Sequence, residues 1–180
     1  MSDVTLIILA SGFSRRFASN KLLYEFEGKR LIEYALDKGN LFSQVLVVTQ
    51  YEEVAQLAKK YGYDVVWNIH PEYGQGHSIA LGVSYCQTDS CVLMVADMPY
   101  LKIETLEKMI SLSSENKIVI CEHEGILCNP MLLPRKYYER AKQLKNDRGA
   151  KQILGKDAFL TVCLSDEEFI DIDTKTEAEN

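Results

Sequence analysis

Nowhere in the 180 residues is a glycine followed, after four intervening residues, by Gly-Lys-Ser/Thr, which excludes a P-loop NTPase. The dinucleotide fingerprint is missing as well. Its nearest lookalike, Gly74-Gln75-Gly76, needs a third small residue at position 79, where Ile79 stands, and Ala80 comes one position late. A nicotinamide dehydrogenase is therefore not indicated. The five cysteines (Cys86, Cys91, Cys121, Cys128, Cys163) form no Cys-x-x-Cys pair, are odd in number, and in several cases sit inside apolar runs. That pattern reads as buried free thiols, not as a metal or redox centre. His70, His77 and His123 lack ligand spacing to one another, and His70 and His123 read as surface or loop residues.

No apolar run reaches membrane-spanning length, and Asp3 stands where a signal peptide carries positive charge; the expectation is a cytoplasmic protein. An excess of positive charge is lacking too. Twenty Lys and Arg against 26 Asp and Glu leave a net charge of −6, which argues against a broad nucleic-acid or anionic-membrane surface. There is no internal repeat, low-complexity tract or linker. With 47% hydrophobic and 26% charged residues, residues 1–180 are expected to form one domain with a substantial core.

Any positive potential has to be local, and residues 4–23, VTLIILASGFSRRFASNKLL, concentrate it. The apolar run Val4, Leu6, Ile7, Ile8, Leu9 suits a buried parallel strand. It breaks into Ala10-Ser11-Gly12, where small residues let backbone amides approach a ligand. Arg15, Arg16 and Lys21 follow. Amides and cations together suit a polyphosphate; a strand and turn with a solvated basic rim is the plainer alternative.

Hydrophobic patterning then predicts helices over residues 31–38, 52–61 (stopped by Gly62), 76–86 and 103–112, with strands over 44–49, 64–67, 91–96 and 117–121. Alternating β and α segments with strands apolar on both faces imply an α/β fold, with a largely parallel sheet covered on both sides. The last third is less regular: short strands over 131–133 and 159–164, helices over 135–144 and 147–154, and fraying from residue 175 on.

The strand over 91–96 runs into Asp97-Met98-Pro99. Ligands of open α/β sheets bind beyond the carboxyl ends of strands. Asp97 is thus suited to hold Mg²⁺ bridging triphosphate oxygens, with Pro99 fixing the turn. The next helix begins near Lys102, too far on for Asp97 to cap it. Asp171 and Asp173 flank Ile172 in DIDT, which reads as a strand edge with both carboxylates on one side. The loop over 68–78, NIHPEYGQGHS, carries Gly74 and Gly76 for close approach to a base or ribose, and ends at Ser78, a helix cap or a substrate contact. The run NDRGA over 146–150 reads as a turn into a helix.

Taken in order, LASGFSRRFASNKLL, NIHPEYGQGHSIALG, ADMP, NDRGAKQIL and DIDT resemble the MobA-like nucleotidyltransferase family, in particular its molybdenum cofactor cytidylyltransferase branch. The resemblance spans nearly the whole chain. It implies a Rossmann-like nucleotidyltransferase fold with a mixed, mostly parallel sheet, and Mg²⁺-dependent transfer of a nucleotidyl group from an NTP to a phosphate acceptor, releasing pyrophosphate. By that resemblance Leu9, Ala10, Ser11 and Gly12 fall in the backbone cradle, and Arg16 and Lys21 match the triphosphate-binding cations. Asn68 and Gly76 match nucleoside-side contacts, Asp97 the metal ligand, and Asp173 a terminal acid that supports metal or substrate. Ser11, Ala18 and the run Cys128-Asn129-Pro130 depart from the pattern. The first leans, with Ser14, toward CTP over GTP; the second stiffens the loop; the third lies on the acceptor side.

Such a reaction needs little acid–base chemistry, because the acceptor phosphate is already ionised. Alignment and charge neutralisation suffice, in keeping with the lack of a Ser/His or Cys/His dyad. The favoured expectation is transfer of CMP from CTP to the terminal phosphate of a molybdopterin-type acceptor. The alternatives are GTP on the same acceptor, a sugar or alditol phosphate acceptor, and a non-catalytic insertion chaperone delivering cofactor to a recipient molybdoenzyme.

Overall fold

The structure, a computed structural model, describes residues 2–13, 20–147 and 149–172. The first strand, β1 (Ser2–Ala10), is the apolar run read above, and its register partners bury it on both edges. A small hairpin follows, β2 (Glu25–Phe26) and β3 (Lys29–Arg30), turning at Glu27 and Gly28 with φ of 48° and 88°. Next come α1 (Leu31–Leu36), β4 (Phe42–Thr49), α2 (Glu52–Lys60), β5 (Asp64–Trp67) and α3 (Gly74–Ser84). The second half holds β6 (Ser90–Val95), α4 (Ile103–Ser111), β7 (Ile118–His123), β8 (Ile126–Pro134), the short α5 (Tyr138–Lys142) and β9 (Phe159–Cys163).

Seven strands form one sheet in the order β5-β4-β1-β6-β8-β7-β9. β5, β4, β1 and β6 are mutually parallel, β8 is antiparallel to both neighbours, and β9 is parallel to β7. The sheet is mixed and mostly parallel, as expected. The alternation of strand side chains splits the core into two layers. Leu6, Ile8 and Ala10 pack with α1, α2 and α4, whereas Ile7 and Leu9 pack with α3 and α5. Each such fully buried aliphatic side chain contributes roughly 1.5–3 kcal/mol, and this double burial explains why the strands read as continuous apolar runs. At Gly82 a Cβ would stand 2.6 Å from the Ile7 side chain, so α3 can lie this close to β1 only with glycine there.

Several expectations need correction in the last third. The short strand over 131–133 is the nine-residue β8, because its first half pairs with β7 in a hairpin turning at Glu124 and Gly125. The helix over 135–144 opens as a 3₁₀ turn (Arg135–Tyr137) before α5, and that over 147–154 shrinks to a 3₁₀ turn (Ala150–Ile153). Asp171 and Ile172 are not in a strand. Only Cys91 and Cys121 are fully buried; Cys86 and Cys128 are half-buried and Cys163 is exposed. His123 is half-buried against Phe169. Among the described residues, no helix is long and apolar enough to cross a membrane.

Candidate active site

β1 and β6 run side by side in register, Leu9 opposite Val95, and the Ala96 amide continues the ladder to the Leu9 carbonyl at 3.3 Å. The loops that leave the two strands must therefore adjoin at the carboxyl edge of the sheet. A cavity of about 490 Å³ opens there, with Ala10, Gly12, Lys21, Gln75, Asp97 and Asp147 among its lining residues.

Lys21 and Asp97 meet on its wall, Nζ to Oδ2 at 2.6 Å, with side chains 14% and 19% exposed. Local structure on both sides brings them together. Asn20 caps a 3₁₀ turn (Lys21–Leu23) by accepting the Leu22 amide at 3.1 Å, and Leu22 anchors that turn in the core. On the other side, the Asp97 carbonyl accepts the Ile172 amide at 3.0 Å, and the Ile172 carbonyl accepts a hydrogen bond from Lys21 Nζ at 3.0 Å. The C-terminal segment thus closes the arrangement. A pair this sheltered from water is screened less than a surface one, and losing either partner would strand the other's charge.

The helix-side wall is set by α3. Gly74 has φ 81°, and a Cβ there would stand 2.5 Å from the Asn146 backbone and the Asp147 carboxylate. Gly76 donates its amide to the Asn146 carbonyl at 2.8 Å. These two contacts seat the 146–147 turn against the start of α3, and with it Asp147 on the cavity wall. Ser78 lies inside α3 and is not its cap, since the helix starts four residues earlier.

Leu9, Ala10, Ser11, Gly12, Lys21 and Asp97 all line the one cavity. Asn68 and Gly76 are not among its lining residues. Asn68 is 2% exposed, donating from Nδ2 to the Ser78 hydroxyl at 3.0 Å and accepting the His70 amide at 3.0 Å. The Ser11 hydroxyl turns to the Val48 carbonyl, 3.1 Å away. Arg16 and Asp173 lie outside the described residues, as do Ala18 and Arg148. A second cavity of about 250 Å³ adjoins the first, sharing Gln75 and lined also by Cys128, Asn129 and Lys151. Sequence reading missed Asp147 as a wall residue and the Ile172 carbonyl as a partner of Lys21. The Gly74/Gly76 pair was the available signal for the former; the latter is a backbone contact with none.

Residues 6–161 match the MobA-like NTP transferase domain family. The chain belongs to that family. It is 30% identical over 181 residues to the molybdenum cofactor cytidylyltransferase of Escherichia coli, covering 97% of this chain and 93% of that one. It is 29% identical over 162 residues to the purine catabolism protein PucB of Bacillus subtilis, covering 82% and 78% respectively. A nucleotidyl transferase structure from Methanothermobacter superposes with a TM-score of 0.85 at 16% identity, covering 97% of this chain and 94% of that one. The protein is therefore a nucleotidyltransferase with a Rossmann-like fold.

For this MobA-like enzyme the donor set can be tested against a divalent metal. Among the described residues no three His, Cys, Asp or Glu cluster as a metal site. Asp97 nonetheless places a carboxylate on the wall of an open cavity. Mg²⁺ is commonly held by one or two carboxylates, the remainder of its shell being water and substrate phosphate, so the residues present fit that ion.

Proposed function

We propose that the enzyme transfers CMP from CTP to the terminal phosphate of a molybdopterin-type acceptor in the cytoplasm, releasing pyrophosphate. The observation that carries this reading is the convergence of the Ala10–Gly12 backbone, Lys21 and Asp97 on one cavity. The 30% identity to the E. coli cytidylyltransferase over nearly its whole length supports the choice of base and acceptor. The large cavity takes the nucleotide. The smaller one, which shares Gln75 with it as a wall residue, takes the acceptor.

In this reading the backbone amides after β1, Lys21 and Arg16 bind the triphosphate, and Asp97 holds Mg²⁺, with Asp173 in support. Bound Mg²⁺ supplies charge neutralisation at the phosphates. Asn68 and Gly76 serve the nucleoside side indirectly: Asn68 positions Ser78, and Gly76 positions the turn that carries Asp147. Lys21 orients the phosphate chain and offsets the negative charge that grows on the leaving pyrophosphate, the kind of preorganised electrostatic stabilisation that dominates reactions of this class. No protein base is required.

Incubating the protein with Mg²⁺, molybdopterin cofactor and each of CTP and GTP, then weighing the product by mass spectrometry, tests base and acceptor together. A product heavier by CMP is expected. A product heavier by GMP would move the enzyme to the guanylyl branch. Turnover only with a sugar or alditol phosphate would replace the acceptor, and tight cofactor binding without product would make it a carrier for a recipient molybdoenzyme.

A further inference from the structure

The last residue of β4 and the two that follow it each reach one of three consecutive carbonyls where the chain leaves β1. Thr49 Oγ1 donates to the Ala10 carbonyl at 3.0 Å, Gln50 Nε2 to the Ser11 carbonyl at 2.8 Å, and Tyr51 OH to the Gly12 carbonyl at 2.7 Å. Thr49 Oγ1 also accepts the Tyr51 amide at 3.1 Å, which stiffens the turn into α2. The Ser11 hydroxyl returns a fourth bond, to Val48. β1 and β4 are parallel neighbours with Ala10 opposite Thr49, and the sheet ladder ends there; the three side chains continue the pairing where backbone pairing stops.

The carbonyl of one residue and the amide of the next lie in one trans peptide plane and point in opposite directions within it. Drawing the carbonyls of Ala10, Ser11 and Gly12 toward β4 therefore turns the amides of Ser11, Gly12 and Phe13 the other way. Residues 10–13 are wall residues of the large cavity, and successive amides turned to one side make an anion-binding concavity. Burial raises the Tyr51 phenol above its ordinary range, so its proton stays in place to be donated.

We propose that Thr49, Gln50 and Tyr51 act as a clasp: they are positioning residues that fix the orientation of the phosphate-binding amides without touching the nucleotide. This rests on the assignment of the large cavity to the nucleotide. Because the clasp acts through preorganisation, its loss weakens nucleotide binding more than it weakens the fold.

The test is titration calorimetry of Mg·CTP with wild type, Tyr51→Phe, Gln50→Leu and the double variant, alongside thermal melts and steady-state kinetics. Tyr63→Phe serves as control: it loses an equivalent hydroxyl-to-carbonyl bond, to Leu36 at 3.1 Å, and Tyr63 does not line the cavity. Each single variant should raise the nucleotide Kd about 5- to 20-fold, and the double variant by more. Melting temperatures should fall no further than in the control, and KM for the acceptor should hold. Gln50→Glu, of the same shape, should bind worse than Gln50→Leu near pH 8, and recover relative to wild type toward pH 5 as its carboxyl regains a donor proton. A double variant that stays folded and binds within twofold of wild type would overturn the clasp while leaving the nucleotide assignment intact. A wild type that binds no nucleotide would overturn both.

Discussion

Lys21 Nζ stands 2.6 Å from Asp97 Oδ2, and the two are held there from opposite ends of the chain, by the Asn20-capped turn on one side and the Ile172 backbone on the other. Two opposite charges thus share the wall of the large cavity, where they are screened less than a surface pair.

Replacing Lys21 with Ala should lower kcat by about 10²- to 10³-fold, as expected for loss of a preorganised group that meets charge developing in the transition state. It should also cost about 1–3 kcal/mol of stability, because Asp97 loses its partner in a mostly buried place. Asp97→Asn keeps the shape and removes the charge, so it should cost less stability and a comparable share of turnover. Kinetics set beside denaturant melts separate the two effects; an unchanged kcat in folded Lys21→Ala would contradict the role given to Lys21.

Glu168 fastens the C-terminal segment that presents Ile172. Its carboxylate accepts from the Lys102 amide at 3.1 Å, the Thr105 hydroxyl at 2.5 Å, and the amide and hydroxyl of Ser165 at 3.2 and 2.9 Å. Burial pushes this carboxyl up, but the hydrogen bonds from Thr105, Ser165 and Lys102 outweigh it and leave it below its ordinary value. A carboxyl lowered by folding contributes stability that is fully present above its unfolded pKa and is lost as pH falls through the folded one. Wild type should therefore lose this contribution below about pH 4.5, whereas Glu168→Gln should start about 2 kcal/mol less stable at pH 7 and show a shallower acid decline. Urea melts at pH 3 to 7 check both.

Lys38 behaves in the opposite sense. It is 6% exposed, with Nζ donating to the Tyr34 carbonyl at 2.7 Å. Burial, then the charge of Lys29, lower its ammonium from 10.5 to about 8 against the pull of Asp37. Below pH 8 the folded chain carries a proton it binds more weakly than the unfolded chain does. The penalty is lifted between about 8 and 10.5, so stability should rise in that window, by roughly 3 kcal/mol at most. Lys38→Met should abolish this rise, read as the difference between two stability–pH curves.

The half-buried Cys86 accepts or donates hydrogen bonds with Tyr138 OH at 3.1 Å and Thr88 Oγ1 at 3.5 Å. Hydrogen bonding from Cys91 first, then from Thr5, Thr88 and Tyr138, outweighs burial and lowers its thiol to about 5. Iodoacetamide at pH 6.5 should label Cys86 ahead of the exposed Cys163, since the thiolate is the reacting form. Peptide mapping reads the order, and faster labelling of Cys163 would contradict the lowered thiol.

The parts of this architecture that were legible in the sequence are those where one periodicity dominates. The central strands β1, β4 and β6 could be read within two residues because most of their side chains are buried on both faces of the sheet, and the edge strand β5 because its short apolar run is bounded by loop residues on either side. β8 was read as three residues because its first half, Ile126 to Asn129, is exposed or half-buried and mixed in polarity; only pairing with β7 makes it a strand. The β2–β3 hairpin is two residues a side and carries no periodic signal beyond Glu27-Gly28. In the site, Lys21 and Asp97 were legible from their places after β1 and beyond β6, but their direct pairing was not, since it depends on a backbone group 151 residues from Lys21. Thr49 was read only as a strand end, and Gln50 and Tyr51 fell between that strand and the next helix, because their partners are carbonyls, which leave no trace in residue type.

Pyrophosphate release with Mg²⁺, molybdopterin cofactor and each of CTP, GTP, ATP and UTP in turn tests the central claim most directly. Release with CTP, abolished when acceptor is left out and reduced at least 100-fold in Lys21→Ala, is the predicted result. Silence with all four nucleotides, from folded protein that binds none of them, would contradict it.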